Sequence, residues 1–163
     1  MARALQISVI GGGAANADSE RLAEEVGRRL AEAGAVVVCG GMGGVMEAAA
    51  RGARSADGEV IGILPGEDPR EANEHITHPV ATGIGHARNL AVVASGAAVV
   101  AIGGEWGTLA EIAFARRLRR PVVALRSWSA TGAGPMKDSP GVEAASSAAE
   151  AAKLALRLAG GRR

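Results

Sequence analysis

The sequence predicts a doubly wound α/β fold, a single domain built on one parallel sheet with helices on both faces, and three observations carry that reading. Short apolar segments alternate with longer stretches of helical periodicity. Glycine clusters end several of the apolar segments: Gly11-Gly12-Gly13, Gly40-Gly41-Met42-Gly43-Gly44 and Gly103-Gly104. Hydrophobic residues make up 48% of the 163 and charged ones 21%, the balance of a globular chain long enough to bury its own core. Parallel strands need crossover connections, which are usually helices, so alternation of this kind indicates a parallel sheet covered on both faces.

Residues 5–10 read as a buried strand stopped by the triple glycine. A helix follows, capped by Asp18 or Ser19, with Leu22, Val26 and Leu30 on one face and Gly34 where a C-terminal glycine belongs. Residues 35–38 form the second strand, 45–53 an alanine-rich helix, and 60–64 the third strand, closed by Pro65-Gly66. From 67 to 83 the pattern is irregular, a loop with room for one short edge strand. Helix returns over 85–95, strand over 97–102 and helix over 108–117. Residues 121–125 are the last predicted strand, 127–141 a Gly/Ser/Pro-rich loop, and 143–158 a helix that packs back on the sheet. The domain spans 1–159, and 160–163 form a frayed tail.

Composition excludes several classes of function. Aromatics are 2% of the chain, Trp106, Phe114 and Trp128, too few for a platform that stacks single-stranded nucleic acid. Net charge is +1, with no basic stripe for DNA or an anionic membrane, so neither is an expected partner. The cluster Arg116, Arg117, Arg119 and Arg120 falls where a helix ends, which favours cations. Cys39 is the only cysteine, so an intramolecular disulfide and a thiolate-rich zinc site are excluded. No metal is expected; His75 and His78 lack a third ligand nearby and read as exposed loop residues. The N-terminus does not resemble a signal peptide, and no apolar run approaches the ~20 residues that span a bilayer, so the expected location is cytoplasmic.

In open α/β sheets ligands bind beyond the carboxyl ends of the strands, where the strand order reverses. A helix N-terminus there presents unpaired N–H groups and the positive end of the dipole, and glycine lets a ligand oxygen approach the backbone. Three glycine turns on one edge therefore point to an anionic, phosphate-bearing ligand. Two familiar signatures do not fit. The dinucleotide fingerprint would place glycine where Asn16 stands, and the second strand ends at Cys39 rather than at an acidic ribose ligand. A Walker loop needs Gly-Lys-Ser/Thr, and neither Lys137 nor Lys153 has that setting.

The most informative stretches are Ala87-Arg88-Asn89 and Ile102-Gly103-Gly104-Glu105-Trp106-Gly107-Thr108-Leu109-Ala110-Glu111. Together with Val9-Ile10-Gly11-Gly12-Gly13, Gly40-Gly41-Met42-Gly43-Gly44-Val45-Met46-Glu47 and Val60-Ile61-Gly62-Ile63-Leu64-Pro65, they resemble the Rossmann-like proteins often labelled lysine-decarboxylase-like. That family includes the LONELY GUY phosphoribohydrolases and the molybdenum cofactor carrier proteins. The resemblance covers residues 7–125 and implies a homo-oligomer, dimer or tetramer. In the phosphoribohydrolases a PGGxGTxxE motif holds phosphate and supplies a catalytic glutamate, with an arginine upstream. Gly107, Thr108 and Glu111 match the end of that motif, and Arg88 falls at the arginine's place. Gly103 replaces the motif's proline and Glu105 its second glycine, and a carboxylate beside a phosphate loop repels a phosphate monoester. The Gly-Gly-Glu-aromatic-Gly-Thr form is closer to the carrier branch.

The resemblance therefore implies a binding or carrier protein for a nucleotide or a molybdenum cofactor of the molybdopterin type. Its expected shell is Gly12, Gly41, Gly43, Gly44, Arg88, Asn89, Gly104, Glu105, Gly107 and Thr108. The alternative is hydrolysis of a nucleoside 5′-monophosphate, with Glu111 as acid/base or cation stabiliser and Arg88 as substrate clamp. Lysine decarboxylation is excluded, since pyridoxal chemistry needs a lysine held in the site. Structural alternatives stand beside these roles. Thr108 and Glu111 fit a capping box, Arg88 a surface ion pair and Asn89 a turn cap. Trp106 fits packing at the crevice mouth or a subunit contact better than stacking on a base, and Cys39 a buried filler.

Overall fold

The runs of Val and Ile between glycine turns form the centre of one sheet. The structure is a computed structural model that describes residues 3–128 and 141–161. Strands β1 (Gln6–Gly11), β2 (Val36–Cys39), β3 (Val60–Leu64), β4 (His78–Ala81), β5 (Ala98–Ile102), β6 (Val122–Leu125) and β7 (Val142–Ala145) lie in the order β4-β3-β2-β1-β5-β6-β7. Every pairing is parallel. Chain order therefore reverses between β1 and β5, the switch point of a Rossmann-like sheet.

Alternate residues of each strand feed two cores. Val37, Val100 and Ile102 pack beneath α1 (Ala17–Glu32), α2 (Val45–Ser55) and α5 (Ala148–Gly160). Val38, Val99 and Ala101 pack beneath α3 (Arg88–Ser95) and α4 (Trp106–Arg117). Both layers are dominated by alanine and β-branched residues. The closest approach is between α1 and α2, where a β-carbon on Gly27 would overlap the Ala49 carbonyl and one on Gly52 the Glu24 carbonyl.

Several boundaries differ from expectation for identifiable reasons. Helix α1 is capped not by Asp18 or Ser19 but by Asn16, whose Oδ1 accepts the Ser19 N–H at 2.8 Å. The irregular segment does contain an edge strand, β4, whose Pro79 is tolerated because no strand among the described residues pairs on its outer side. His78 lies on that strand, 3.7 Å from Glu59. The largest correction concerns residues 142–145, which pair with β6 as a seventh strand where a helix was expected to start at Glu143. Helix α5 begins later because Ser147 caps it, its hydroxyl accepting the Glu150 N–H at 3.2 Å, while Glu150 accepts from Ser146 at 2.7 Å. It runs to Gly160, so the expected tail starts inside the helix. Most of the expected 127–141 loop lies outside the described residues.

Candidate functional site

Because β2, β1 and β5 are neighbours, the three glycine turns leave the sheet side by side on one rim. The first two touch through their backbones. Gly12 O accepts the Val45 N–H at 3.1 Å, and Gly44, at φ 64°, could carry no β-carbon without striking Gly12 O. On the other side Gly11 is in register with Ile102, and the third turn bends away through Gly103 and Gly104, both at positive φ. A cleft of about 310 Å³ opens between the first and third turns, lined by Gly12, Asn16, Ser19, Gly103, Gly104 and Glu105 among others. Arg126 and Asp18, which also line it, pair at 2.5 Å.

Arg88 and Glu111 stand on the opposite side of the sheet, at the start of α3 and in the second turn of α4. Arg88 is only 9% exposed. Its Nη1 donates to Ile63 O at the end of β3 at 2.9 Å, and the guanidinium lies so close under Gly40 that a β-carbon there would overlap it. Its Nε is buried without a hydrogen-bond partner. Burial pulls the guanidinium below the usual arginine range, against the attraction of Glu111 and of Cys39. Glu111 is 8% exposed, and its carboxylate makes no hydrogen bond among the described residues. Burial pushes it up to about 7, with the Arg88 charge opposing the rise. The structure thus removes the surface ion-pair reading of Arg88.

The capping-box reading of Thr108 and Glu111 also falls. Helix α4 starts at Trp106, two residues before the expected start, so Thr108 is inside the helix, buried against Gly104. Glu105 is its N-cap and makes no side-chain capping bond, and Gly44 at the head of α2 has none either. By contrast α1 and α5 are closed by Asn16 and Ser147. The two helices that follow the β2 and β5 turns therefore begin with their first N–H groups free of side-chain caps.

Of the expected shell, Gly12, Gly104 and Glu105 line the cleft. Gly41 is buried against Leu64 and Gly43 faces Gly13, both in the β2 turn. Gly107 is exposed in the first turn of α4, and Asn89 is half-buried on α3 next to Arg88. Cys39 is fully buried, and burial pushes its thiol up to about 11, so it is a neutral filler at ordinary pH. No group of three candidate metal ligands exists among the described residues. Among those residues no helix is long and apolar enough to cross a membrane.

A family model described as the SLOG cluster4 family matches residues 4–154. The chain belongs to that family. It is similar, at 43% identity over 122 residues, to an uncharacterised protein of Archaeoglobus fulgidus, covering 75% of this chain and 80% of the relative. Among solved structures, the molybdenum cofactor binding protein of Rippkaea orientalis superposes with TM-score 0.85 and 32% identity, covering 96% of this chain and 98% of that one. The molybdenum cofactor carrier protein of Chlamydomonas reinhardtii superposes with TM-score 0.83 and 31% identity, again covering 96% and 98%.

In this SLOG chain Glu111 ties stability to pH. Its pKa is about 7 when folded and 4.5 as an ordinary carboxyl, so the folded state holds the proton more tightly and folding is disfavoured as pH rises between those values. The expected loss from pH 4.5 to 7 is about 3 kcal/mol, and it levels off above that window. Glu111→Gln lacks this component. Urea unfolding of both proteins across pH 4.5–8 checks it, and parallel curves would count against a raised carboxyl.

Sequence reasoning did not assign Asn16, Ser19, Gly40 or Arg126 to the site, although it named Ser19 as a helix cap and Gly40 within a glycine turn. Asn16 carried a signal, since an Asn just before a helical run is a favoured N-cap as well as a departure from the dinucleotide fingerprint. Arg126 carried none, because its partner Asp18 is 108 residues away in the chain.

Proposed function

We propose that this SLOG chain is a binding or carrier protein for a phosphate-bearing ligand, a cofactor of the molybdopterin type ahead of a simple nucleotide. The observation that carries the reading is the Arg88 guanidinium, buried beneath Gly40 at the carboxyl ends of β2 and β3 with its Nε unpartnered. A buried donor left unpaired costs about 1–3 kcal/mol, and an anion that accepts from it recovers that cost. The uncapped start of α2 adds backbone donors from the Gly41–Gly44 turn to the anion, and that of α4 adds donors from Gly104, Gly107 and Thr108 to the polar atoms of the rest of the ligand. Asn89 extends the shell beside Arg88. The two carrier-type structures at 31–32% identity support the cofactor class.

One observation bears on a second reading: burial pushes the Glu111 carboxyl up to about 7, a range suited to the proton transfer that cleavage of a nucleoside 5′-monophosphate requires. A single pair of measurements separates the two. Thermal unfolding with molybdenum cofactor or AMP is expected to show stabilisation, and incubation with AMP is expected to release no adenine. Free adenine that disappears in Glu111→Gln would replace the carrier reading by the hydrolase. No thermal shift with either ligand would remove both.

A further inference from the structure

Both tryptophans of the chain meet at the rim, 5.6 Å between ring centroids and tilted by 34°. Trp106 is 77% exposed, the least covered large apolar side chain among the described residues. It is not loose. Trp128 packs on it and donates from Nε1 to Glu105 O at 3.3 Å, which holds the pair to the wall of the cleft that Glu105 lines. Rings at 5.6 Å already touch as an aromatic pair, so a third ring fits on the outer face of Trp106 and not between the two.

We infer that the Trp106–Trp128 pair and the Glu105 carboxylate form the subsite for the ligand's heteroaromatic ring, a purine or pterin with N–H donors. This rests on the carrier reading and divides the ligand between two ends of the rim. Arg88 reaches the ends of β2 and β3, whereas Glu105 follows β5. Along the rim those strand ends are two strand spacings apart, on the order of 10 Å, with Arg88 on the face covered by α3 and α4. Glu105 repels a phosphate but accepts hydrogen bonds from ring N–H and amino groups, so the carboxylate that conflicts with a phosphate site is in place at the ring end. An indole held by its neighbour loses little freedom when a ring stacks on it.

The chain has two tryptophans and no tyrosine, so its intrinsic emission reports this pair directly. Titration with AMP, GMP and 6-hydroxymethylpterin phosphate is expected to quench it, whereas ribose 5-phosphate binds by calorimetry without changing it. Trp106→Ala should weaken the ring-bearing ligands about 5- to 100-fold and leave ribose 5-phosphate unchanged, with Trp106→Phe restoring most of the affinity. Equal binding of AMP by wild type and Trp106→Ala would overturn the subsite while leaving the carrier reading intact. So would a Trp106→Ala chain whose assembly mass falls by light scattering at unchanged affinity per chain, which would make the pair a subunit contact. If none of these phosphates binds the wild type, both readings fall together.

Discussion

Arg88→Met is expected to cut affinity for the phosphate-bearing ligand at least about 100-fold while the chain stays folded. Methionine fills a similar volume under Gly40 but removes every donor. An anion loses charge-assisted hydrogen bonds worth roughly 1.5–3 kcal/mol each, and two such bonds lie within reach of one planar guanidinium. The folded state is affected less. The bond from Nη1 to Ile63 O is lost, a cost of about 1 kcal/mol, and the desolvation of a buried cation is relieved at the same time. Glu111 is not stranded as a charge, because without Arg88 its pKa rises beyond about 7 and the carboxyl stays protonated at pH 6. The comparison is therefore best made at that pH, by calorimetry with molybdenum cofactor or AMP and by urea unfolding of the same samples. Arg88→Lys sharpens it, since one ammonium cannot serve Ile63 O and a ligand with the geometry of a fork. Wild-type affinity in Arg88→Met would place the anion elsewhere on the rim.

The same two residues show how far the sequence could be read. The strands around the switch point and their parallel arrangement follow from alternation and from the glycine turns, since β1, β2, β3 and β5 are apolar runs ended by glycine or proline; their order in the sheet is not stated by any of them. Residues 142–145 were opaque because Val-Glu-Ala-Ala has weak strand propensity and only partial burial, and helix periodicity continues straight from it. The start of α5 was written in Ser147-Ala148-Ala149-Glu150, a capping-box pattern overshadowed by the alanines before it. Arg88 and Glu111 are 23 positions apart on different helices, and only resemblance to a family pairs them. Their burial together depends on α3 and α4 sharing one face of the sheet, which no local pattern states. The exposed indole of Trp106 depends likewise on α4 starting at that residue and on Trp128 arriving from the far end of β6.

Gly52→Ala is expected to destabilise the fold by at least about 2 kcal/mol, although helix propensity predicts the reverse. In an isolated helix alanine is favoured over glycine by about 1 kcal/mol. At position 52, however, the new methyl would overlap the carbonyl oxygen of Glu24 and lie 2.6 Å from its carbon, both main-chain atoms of α1 that cannot rotate away. Gly27 makes the mirror-image contact with Ala49 of α2, so the two backbones touch at both ends of the crossing. Moving α1 off α2 opens the layer where Ala23, Val26, Ala48, Ala49 and Ala53 are buried. It also stretches the ion pair between Arg51 and Glu24, now 2.9 Å. Overpacking of this kind typically costs 1–3 kcal/mol or more, and here side-chain relaxation is not available, so the steric cost outweighs propensity. For a chain of this size the expected fall in Tm is about 4–8 °C. Gly160→Ala supplies the opposite sign: it lies in α5 with nothing within 4 Å of the added carbon, and a gain of about 0.5 kcal/mol is expected. If both variants gain stability in urea, α1 and α2 do not meet through their main chains, and the placement of the β1 and β2 glycine turns that lead into them loses its support.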